Sequence, residues 1–99
     1  MSFVLKKSNI HGKGVFTKKY IPKNTDMGIG IKMYLYFIPI ITKDFGDMIN
    51  HSWSPNCKLL YKDYNYHIIT LKKINKNTEI TINYDDGPWF IDPSWPHYE

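Results

Sequence analysis

Two polar segments are the places where this chain could bind a ligand or carry out chemistry. The first is residues 50–57, Asn-His-Ser-Trp-Ser-Pro-Asn-Cys, and the second is residues 79–84, Glu-Ile-Thr-Ile-Asn-Tyr. Asn, Ser and Pro at this density disfavour regular helix and strand, because their side chains compete for backbone groups and Pro lacks a donor. Apolar neighbours such as Met48 and Ile49 indicate that the core lies beside them. Buried donors and acceptors need partners, so the sequence predicts a threaded loop or a ligand pocket.

A glycine-containing segment near the start, residues 11–16 (His-Gly-Lys-Gly-Val-Phe), could form another wall of such a pocket. Two glycines flanking one residue let the backbone approach a bulky ligand and take positive φ without a Cβ clash. A Gly-x-Gly pair alone is more often a tight turn, so this inference depends on the two polar segments.

These three segments, in this order, resemble the signature motifs of SET-domain protein-lysine methyltransferases. Residues 50–52 followed by residues 55–57 resemble the first signature, and residues 79–84 resemble the second, which ends in the catalytic tyrosine. The resemblance covers residues 3–90 and is weakest over residues 26–43, where no motif is found. That middle segment is short, and in this the chain is similar to the very small SET proteins of large DNA viruses and phages.

The resemblance implies an S-adenosylmethionine-dependent enzyme that transfers a methyl group by SN2 displacement to a neutral lysine amine in a narrow channel. It implies Tyr84 as the catalytic residue, which orients the amine and the methyl group. The residues it implies for cofactor binding are Lys13, Gly14, Val15, Asn50, His51, Tyr84 and Trp89. Among them, Asn50 would hold the amino-acid end of the cofactor, the His51 backbone its adenine, and Trp89 would stack near the adenine. No metal is implied.

The resemblance also implies the fold class: a mostly β, SET-like fold of several small sheets with a threaded (pseudoknot) loop and little helix. We expect a single domain over residues 1–99, in which the aromatic tail, residues 84–99, folds back as a lid or completes the core. Many SET enzymes use a cysteine-zinc segment for this purpose. The single cysteine, Cys57, excludes an all-Cys zinc site and an internal disulfide.

Two further expectations come from individual residues. The segments Lys-Asn-Thr at 23–25 and 76–78 predict two similar turns, with Asn24 and Asn77 in the left-handed conformation. Trp53 stands where SET proteins often have Cys, which predicts a bulky side chain at a packed position. His11 and His67 are expected to be structural.

Composition restricts the setting in which the protein works. The chain has 99 residues, of which 42% are hydrophobic, without an apolar run long enough to span a bilayer or a signal-peptide layout. We therefore expect an intracellular protein, in the host cytoplasm or nucleus if it is viral, that is neither secreted nor membrane-bound. The net charge is +4, and the 13 basic residues are spread along the chain. They predict a solvated surface, and direct nucleic-acid binding is not expected.

The expected partner is a protein or peptide lysine, from a histone or from another host or viral protein. Oligomeric state stays open, although a small domain with an apolar edge can form a homodimer. Two alternatives to an active enzyme also stay open. One is a SET-like binding module that has lost activity, and the other is a small basic β-domain that binds nucleic acid.

Overall fold

Short strands, most of them antiparallel, account for about half of the residues that the structure describes. The computed structural model describes residues 3–35, 38–43 and 45–86. The strands in this part of the chain are β1 (Phe3–Lys7), β2 (Lys13–Thr17), β3 (Asp26–Tyr34), β4 (Ile38–Ile41), β5 (Asn50–His51), β6 (Cys57–Lys62), β7 (Asn65–Thr70) and β8 (Thr81–Ile82). Its helices are two single 3-10 turns, Gly46–Met48 and Tyr84–Asp86. The predicted mostly β class with little helix is confirmed.

The first hairpin pairs β1 with β2 and carries the glycine-containing loop at its tip. Ser8 closes this loop, because its backbone N–H donates to the Gly12 carbonyl at 2.8 Å and its hydroxyl accepts from the Ile10 N–H at 2.9 Å. Gly12 takes a φ of 49°, a conformation that glycine adopts without a steric penalty. The loop is therefore tightly folded.

The central sheet has four antiparallel strands in the order β4-β3-β7-β6. Alternation places Tyr66, Ile68 and Thr70 on one face of β7, and Ile68 and Thr70 are fully buried there. Strand β4 forms an edge of this sheet, and it contains Pro39, a residue that edges tolerate because it lacks an N–H donor.

A third sheet, β5 with β8, is the smallest and is parallel. It brings together two segments that are far apart in the sequence, and it lies next to the hydrophobic core. The core includes Val15, Ile21, Ile31, Phe45, Ile49, Cys57, Leu59, Ile68, Ile74, Ile80, Ile82 and Tyr84. Both polar segments are thus attached to the packed interior.

Within the described ranges, no helix has the length and apolarity that crossing a bilayer requires.

Candidate active site

The two polar segments are interlocked through backbone and side-chain hydrogen bonds. Asn50 and His51 pair with Thr81 and Ile82 in the parallel sheet, and the Ser52 N–H continues the ladder to the Ile82 carbonyl at 2.9 Å. The loop and the strand leading to Tyr84 therefore form one structural unit.

Asn56 fastens the far end of the first segment to the second. Its Nδ2 donates to the Glu79 carbonyl at 2.9 Å, and its Oδ1 accepts from the Thr81 N–H at 2.8 Å. A side-chain amide can satisfy a neighbouring backbone donor and acceptor in this way, as a strand would. Asn56 thus replaces a strand where the Ser-Pro sequence prevents one from forming.

Tyr84 lies at the centre of this unit. Its hydroxyl donates to the Ile49 carbonyl at 2.8 Å, and its backbone N–H donates to Nδ1 of His51 at 3.0 Å. Burial raises the pKa of the Tyr84 hydroxyl to about 12. The phenol is therefore protonated at neutral pH, with its proton directed at Ile49.

The His51 ring packs beside the ring of Tyr84. The ring is almost fully buried, and its centroid lies 5.1 Å from that of the Tyr84 ring. Accepting a hydrogen bond at Nδ1 requires a neutral ring with its proton on Nε2. Burial lowers the pKa of His51, opposed by the negative charge of Asp85, and so favours that neutral form.

Trp53 is not at a packed position, and the prediction of one was wrong. The indole is 61% exposed and makes an edge contact with the His51 ring at a centroid distance of 4.3 Å. The turn at residues 53–54 carries the side chain outward. A bulky residue is therefore accommodated without repacking the core.

Asn50 joins the first polar segment to the glycine-containing loop. Its Nδ2 lies 3.1 Å from the His11 carbonyl and 3.2 Å from the Lys13 carbonyl, and it also donates to Oε2 of Glu79 at 2.8 Å. Its Oδ1 makes no hydrogen bond within the described residues. The amide nitrogen thus holds the loop in place, and the amide oxygen keeps its capacity to accept a hydrogen bond.

Glu79 completes this connection from the second segment. Its two carboxylate oxygens accept from the Ser8 hydroxyl at 2.8 and 2.9 Å, in addition to Asn50. The carboxylate also occupies the space that a Cβ on Gly14 would need. Because Ser8 and Asn50 hold the carboxylate in place, packing against Glu79 favours glycine at residue 14.

An open cleft of about 280 Å³ lies beside these residues. Its lining residues are His11, Gly12, Lys13, Asp47, Met48 and Asn50. A Cβ built on Gly12 meets no heavy atom within 4 Å, so the loop backbone is accessible to a ligand at that point.

The predicted site residues divide into three groups. Lys13 and Asn50 line the cleft, whereas Gly14 and the fully buried Val15 belong to the packing behind it. His51 and Tyr84 lie in the interlocked unit next to Asn50. The predicted stacking of Trp89, and most of the predicted lid at residues 84–99, fall outside the described residues.

Sequence reasoning gave no site role to Ser8, Asp47 or the Ile49 carbonyl, and it treated Glu79 only as part of a motif. Backbone carbonyls carry no sequence signal, and the Ser8–Glu79 contact joins residues at opposite ends of the chain. An acidic residue at the start of the second segment was the one available hint.

Within the described part of the chain, no group of three or more His, Cys, Asp or Glu side chains is arranged to hold a metal ion.

A comparison with models of known protein families matches more than half of this chain. The family model described as the SET domain matches residues 30–85, which is more than half of the chain. The chain belongs to the SET-domain family. The match contains both interlocked segments, while the glycine-containing loop lies before it.

The fold of this SET domain is also found among solved structures. The crystal structure of a candidate histone methyltransferase from Plasmodium falciparum superposes with a TM-score of 0.68 at 23% sequence identity, covering 89% of this chain and 96% of that chain. At this identity the likeness concerns the fold, and it confirms the predicted SET-like architecture. Comparison with curated proteins by sequence gives no match.

Proposed function

We propose that this SET domain is an S-adenosylmethionine-dependent protein-lysine N-methyltransferase. The observation that carries the proposal is the placement of Tyr84: its hydroxyl is hydrogen-bonded to Ile49, next to Asn50, which lines an open cleft. Family membership suggests the reaction class, and the hydrogen bond to Ile49 connects Tyr84 to the residue that precedes the cleft-lining Asn50.

The residues of the cleft suit a methyl donor whose amino-acid end carries an ammonium group. The Oδ1 atom of Asn50 is an acceptor available to an ammonium group, and the carboxylate of Asp47 adds negative charge to the lining. The accessible backbone at Gly12 admits a bulky ligand. S-adenosylmethionine carries such an ammonium group. When bound, it would supply a methyl group on a positively charged sulfur.

Tyr84 would act by orientation and not as a base. Its pKa of about 12 keeps the hydroxyl protonated, and the hydroxyl donates a hydrogen bond to the Ile49 carbonyl. A hydroxyl oxygen that donates its proton can also accept a hydrogen bond. Accepting one from a substrate amine would hold the amine lone pair in line with the methyl group. Alignment of this kind can lower a barrier by several kcal/mol.

The substrate amine must be neutral to react. Desolvation in a narrow channel lowers the pKa of a lysine, because burial disfavours its charged form. No strong base is needed under this scheme. The proposed substrate is a lysine in an intracellular protein, such as a histone or another host or viral protein.

Kinship with the small viral and phage SET proteins, and assembly as a homodimer, stay predictions from the sequence.

Donor binding is the first experiment. Calorimetry with S-adenosylhomocysteine should show one site per chain, and binding should weaken in Asp47→Asn because the substitution removes negative charge from the cleft. Asp63→Asn is the matched control, since it removes the same charge at an exposed turn. Equal effects of the two substitutions would contradict the location, and no binding to the unaltered protein would refute the proposal.

Catalysis is the second experiment. Methyl transfer to lysine peptides and to histones should be detectable with the unaltered protein and lost in Tyr84→Phe. The exposed Tyr20 provides the control substitution, Tyr20→Phe. Donor binding without transfer to any protein lysine would instead identify a SET-like binding module.

A further inference from the structure

Six lysines that are dispersed in the sequence lie on two adjacent turns in the structure. All six are exposed. They are Lys18, Lys19, Lys23, Lys72, Lys73 and Lys76. We call residues 17–25 and 70–78 together the paired-turn surface. Its lysines represent nearly half of the 13 basic residues of the chain.

The two turns are held side by side by a reciprocal backbone pair at their centre. The Ile21 N–H donates to the Ile74 carbonyl at 2.8 Å, and the Ile74 N–H donates to the Ile21 carbonyl at 2.8 Å. Both isoleucine side chains are buried in the core. The apolar anchors point inward, and the lysines around them are left at the surface.

On each side of this centre, a threonine of one turn forms hydrogen bonds with the Asn-Thr pair of the other turn. The Thr17 N–H donates to the Thr78 carbonyl and the Thr17 carbonyl accepts from Asn77, both at 2.9 Å. The Thr17 hydroxyl also donates to the Asn75 carbonyl at 2.7 Å and accepts from the Thr78 N–H at 3.1 Å.

The same four bonds recur on the opposite side. The Thr70 N–H donates to the Thr25 carbonyl at 3.0 Å, and the Thr70 carbonyl accepts from Asn24 at 2.9 Å. The Thr70 hydroxyl donates to the Pro22 carbonyl at 2.7 Å and accepts from the Thr25 N–H at 2.8 Å. The two turns are therefore related by a local two-fold axis through the Ile21–Ile74 pair.

This local symmetry carries over to the charges. Lys19 corresponds to Lys72, and Lys23 corresponds to Lys76, so each turn presents an equivalent pair, with Lys18 and Lys73 as additional charges. Every backbone bond just described restrains the turns that carry them. The lysines are thus displayed from a rigid base and not from a flexible loop.

The charge of this surface is not neutralised by the described part of the protein. None of its six lysines forms an ion pair there. The carboxylates that directly follow the two turns in the sequence have other partners. Asp26 pairs with Lys62 and His67, and Glu79 accepts from Ser8 and Asn50. A dense positive field therefore faces solvent.

We propose that the paired-turn surface binds the phosphate backbone of double-stranded nucleic acid without regard to sequence. The lysine ammonium is a compact point charge suited to phosphate, and its contacts carry no base information. The two strands of a duplex are themselves related by local two-fold axes, so an equivalent lysine pair can face each strand.

The observations favour a duplex over other anionic partners. An acidic peptide is a single chain without two-fold symmetry, and the charges of a lipid surface have no fixed two-fold arrangement. The proposal departs from the expectation that nucleic acid is not bound directly, which rested on the dispersal of lysines along the sequence. It does not depend on the proposed methyl transfer.

Fluorescence anisotropy with a labelled duplex of about 20 base pairs and scrambled sequence, over a range of salt concentrations, tests the proposal. The two half-surface variants are Lys19→Gln/Lys23→Gln and Lys72→Gln/Lys76→Gln. The control is Lys32→Gln/Lys43→Gln, which removes the same charge at exposed positions outside the surface. Thermal unfolding checks that all three remain folded.

The unaltered protein should bind with a steep salt dependence. Removing one lysine–phosphate pair lowers the slope of log affinity against log salt by about 0.9, so each half-surface variant should lower it by about 1.8. The two reductions should be equal because the turns are equivalent, and the control should change the slope little.

Three outcomes would overturn the proposal. Equal reductions in all three variants would show a net-charge effect only, and a reduction confined to one half would exclude a two-fold contact. The third is absence of duplex binding at low salt, in which case binding to poly-glutamate or to phosphatidylserine vesicles would identify another class of anionic partner.

Discussion

The Tyr84 hydroxyl donates a hydrogen bond of 2.8 Å to the carbonyl of Ile49, and this contact connects the ends of the two interlocked segments. It fixes the direction of the phenol proton and the orientation of the ring. The same backbone carbonyl is one residue away from Asn50, which lines the cleft. The contact therefore links Tyr84 to the segment that lines the cleft.

Replacing Tyr84 with Phe should reduce methyl transfer by about a hundredfold or more while leaving S-adenosylhomocysteine binding nearly unchanged. The free energy of unfolding should fall by about 1–3 kcal/mol, since the Ile49 carbonyl is left without its hydrogen-bond donor. Peptide methylation, calorimetry and urea unfolding measure these three quantities. Unchanged transfer would exclude the proposed role.

Protonation of His51 should lower the free energy of unfolding at mildly acidic pH. Burial lowers the pKa of His51 in the folded chain from its usual 6.5, so the unfolded chain binds the proton first. The contribution of His51 to the free energy of unfolding is then constant above pH 6.5, and it declines as pH falls from 6.5 toward the lower native pKa. Asp85, the carboxylate that opposes this shift, makes the decline smaller.

Urea unfolding of the unaltered protein and of His51→Gln, at several pH values between about 5 and 8, isolates this contribution. The variant should be less stable throughout, and its stability should depend less on pH in the mildly acidic range. Parallel curves for the two proteins would show that His51 does not titrate as its burial requires.

Gly14 and Glu79 should be energetically coupled. A Cβ at residue 14 collides with the Glu79 carboxylate, so Gly14→Ala should cost about 1–3 kcal/mol of stability. In a Glu79→Ala background that collision is removed and only a tight contact with the Ser8 Cβ at 3.2 Å is left, so the added cost of Gly14→Ala should fall by at least about 0.5 kcal/mol. Unfolding of the two single variants and the double variant gives the coupling.

Gly12→Ala provides the control for this cycle. Gly12 has a positive φ and open space around it, so its substitution costs about 1 kcal/mol of backbone strain. That cost should be the same in the unaltered chain and in the Glu79→Ala background. Non-additivity at residue 12 would mean that the coupling is not caused by the local collision.

Asn24 and Asn77 should respond to substitution in the same way. Their φ values are 62° and 63°, and each lies in an equivalent turn. Replacing either with Ala should cost about 1 kcal/mol, whereas Gly should be nearly neutral because it has no Cβ. Thermal unfolding of the four variants tests this, and a penalty for Gly as large as for Ala would contradict it.

Cys57 should resist alkylation until the chain unfolds. Burial raises the pKa of its thiol from 9.0 to about 12, which lowers the thiolate fraction near neutral pH by roughly a thousandfold. Labelling with iodoacetamide should therefore be slow in the native protein and fast in urea. Ser54→Cys in a Cys57→Ala background places the thiol at an exposed position and should react rapidly without urea.

The sequence alone was enough to predict which segments form the site and several conformations that depend on near neighbours. Asn24 and Asn77 adopt the left-handed turns predicted for them, since that preference is built into the residue and its immediate context. Pro39 lies on an edge strand for a similar local reason. The order of the three motifs was sufficient to indicate the SET family.

Tertiary structure decided which of these residues meet. The Asn50 amide, the Glu79 carboxylate and the Ser8 hydroxyl form one network although they are separated along the chain, and no local preference encodes such a contact. Trp53 is exposed because the turn directs it outward. The lysines of the paired-turn surface are dispersed in sequence and adjacent in space, because the Ile21–Ile74 pair forms only when the core does. Long-range packing sets these positions, and the pattern of residue types along the chain carries no information about such contacts.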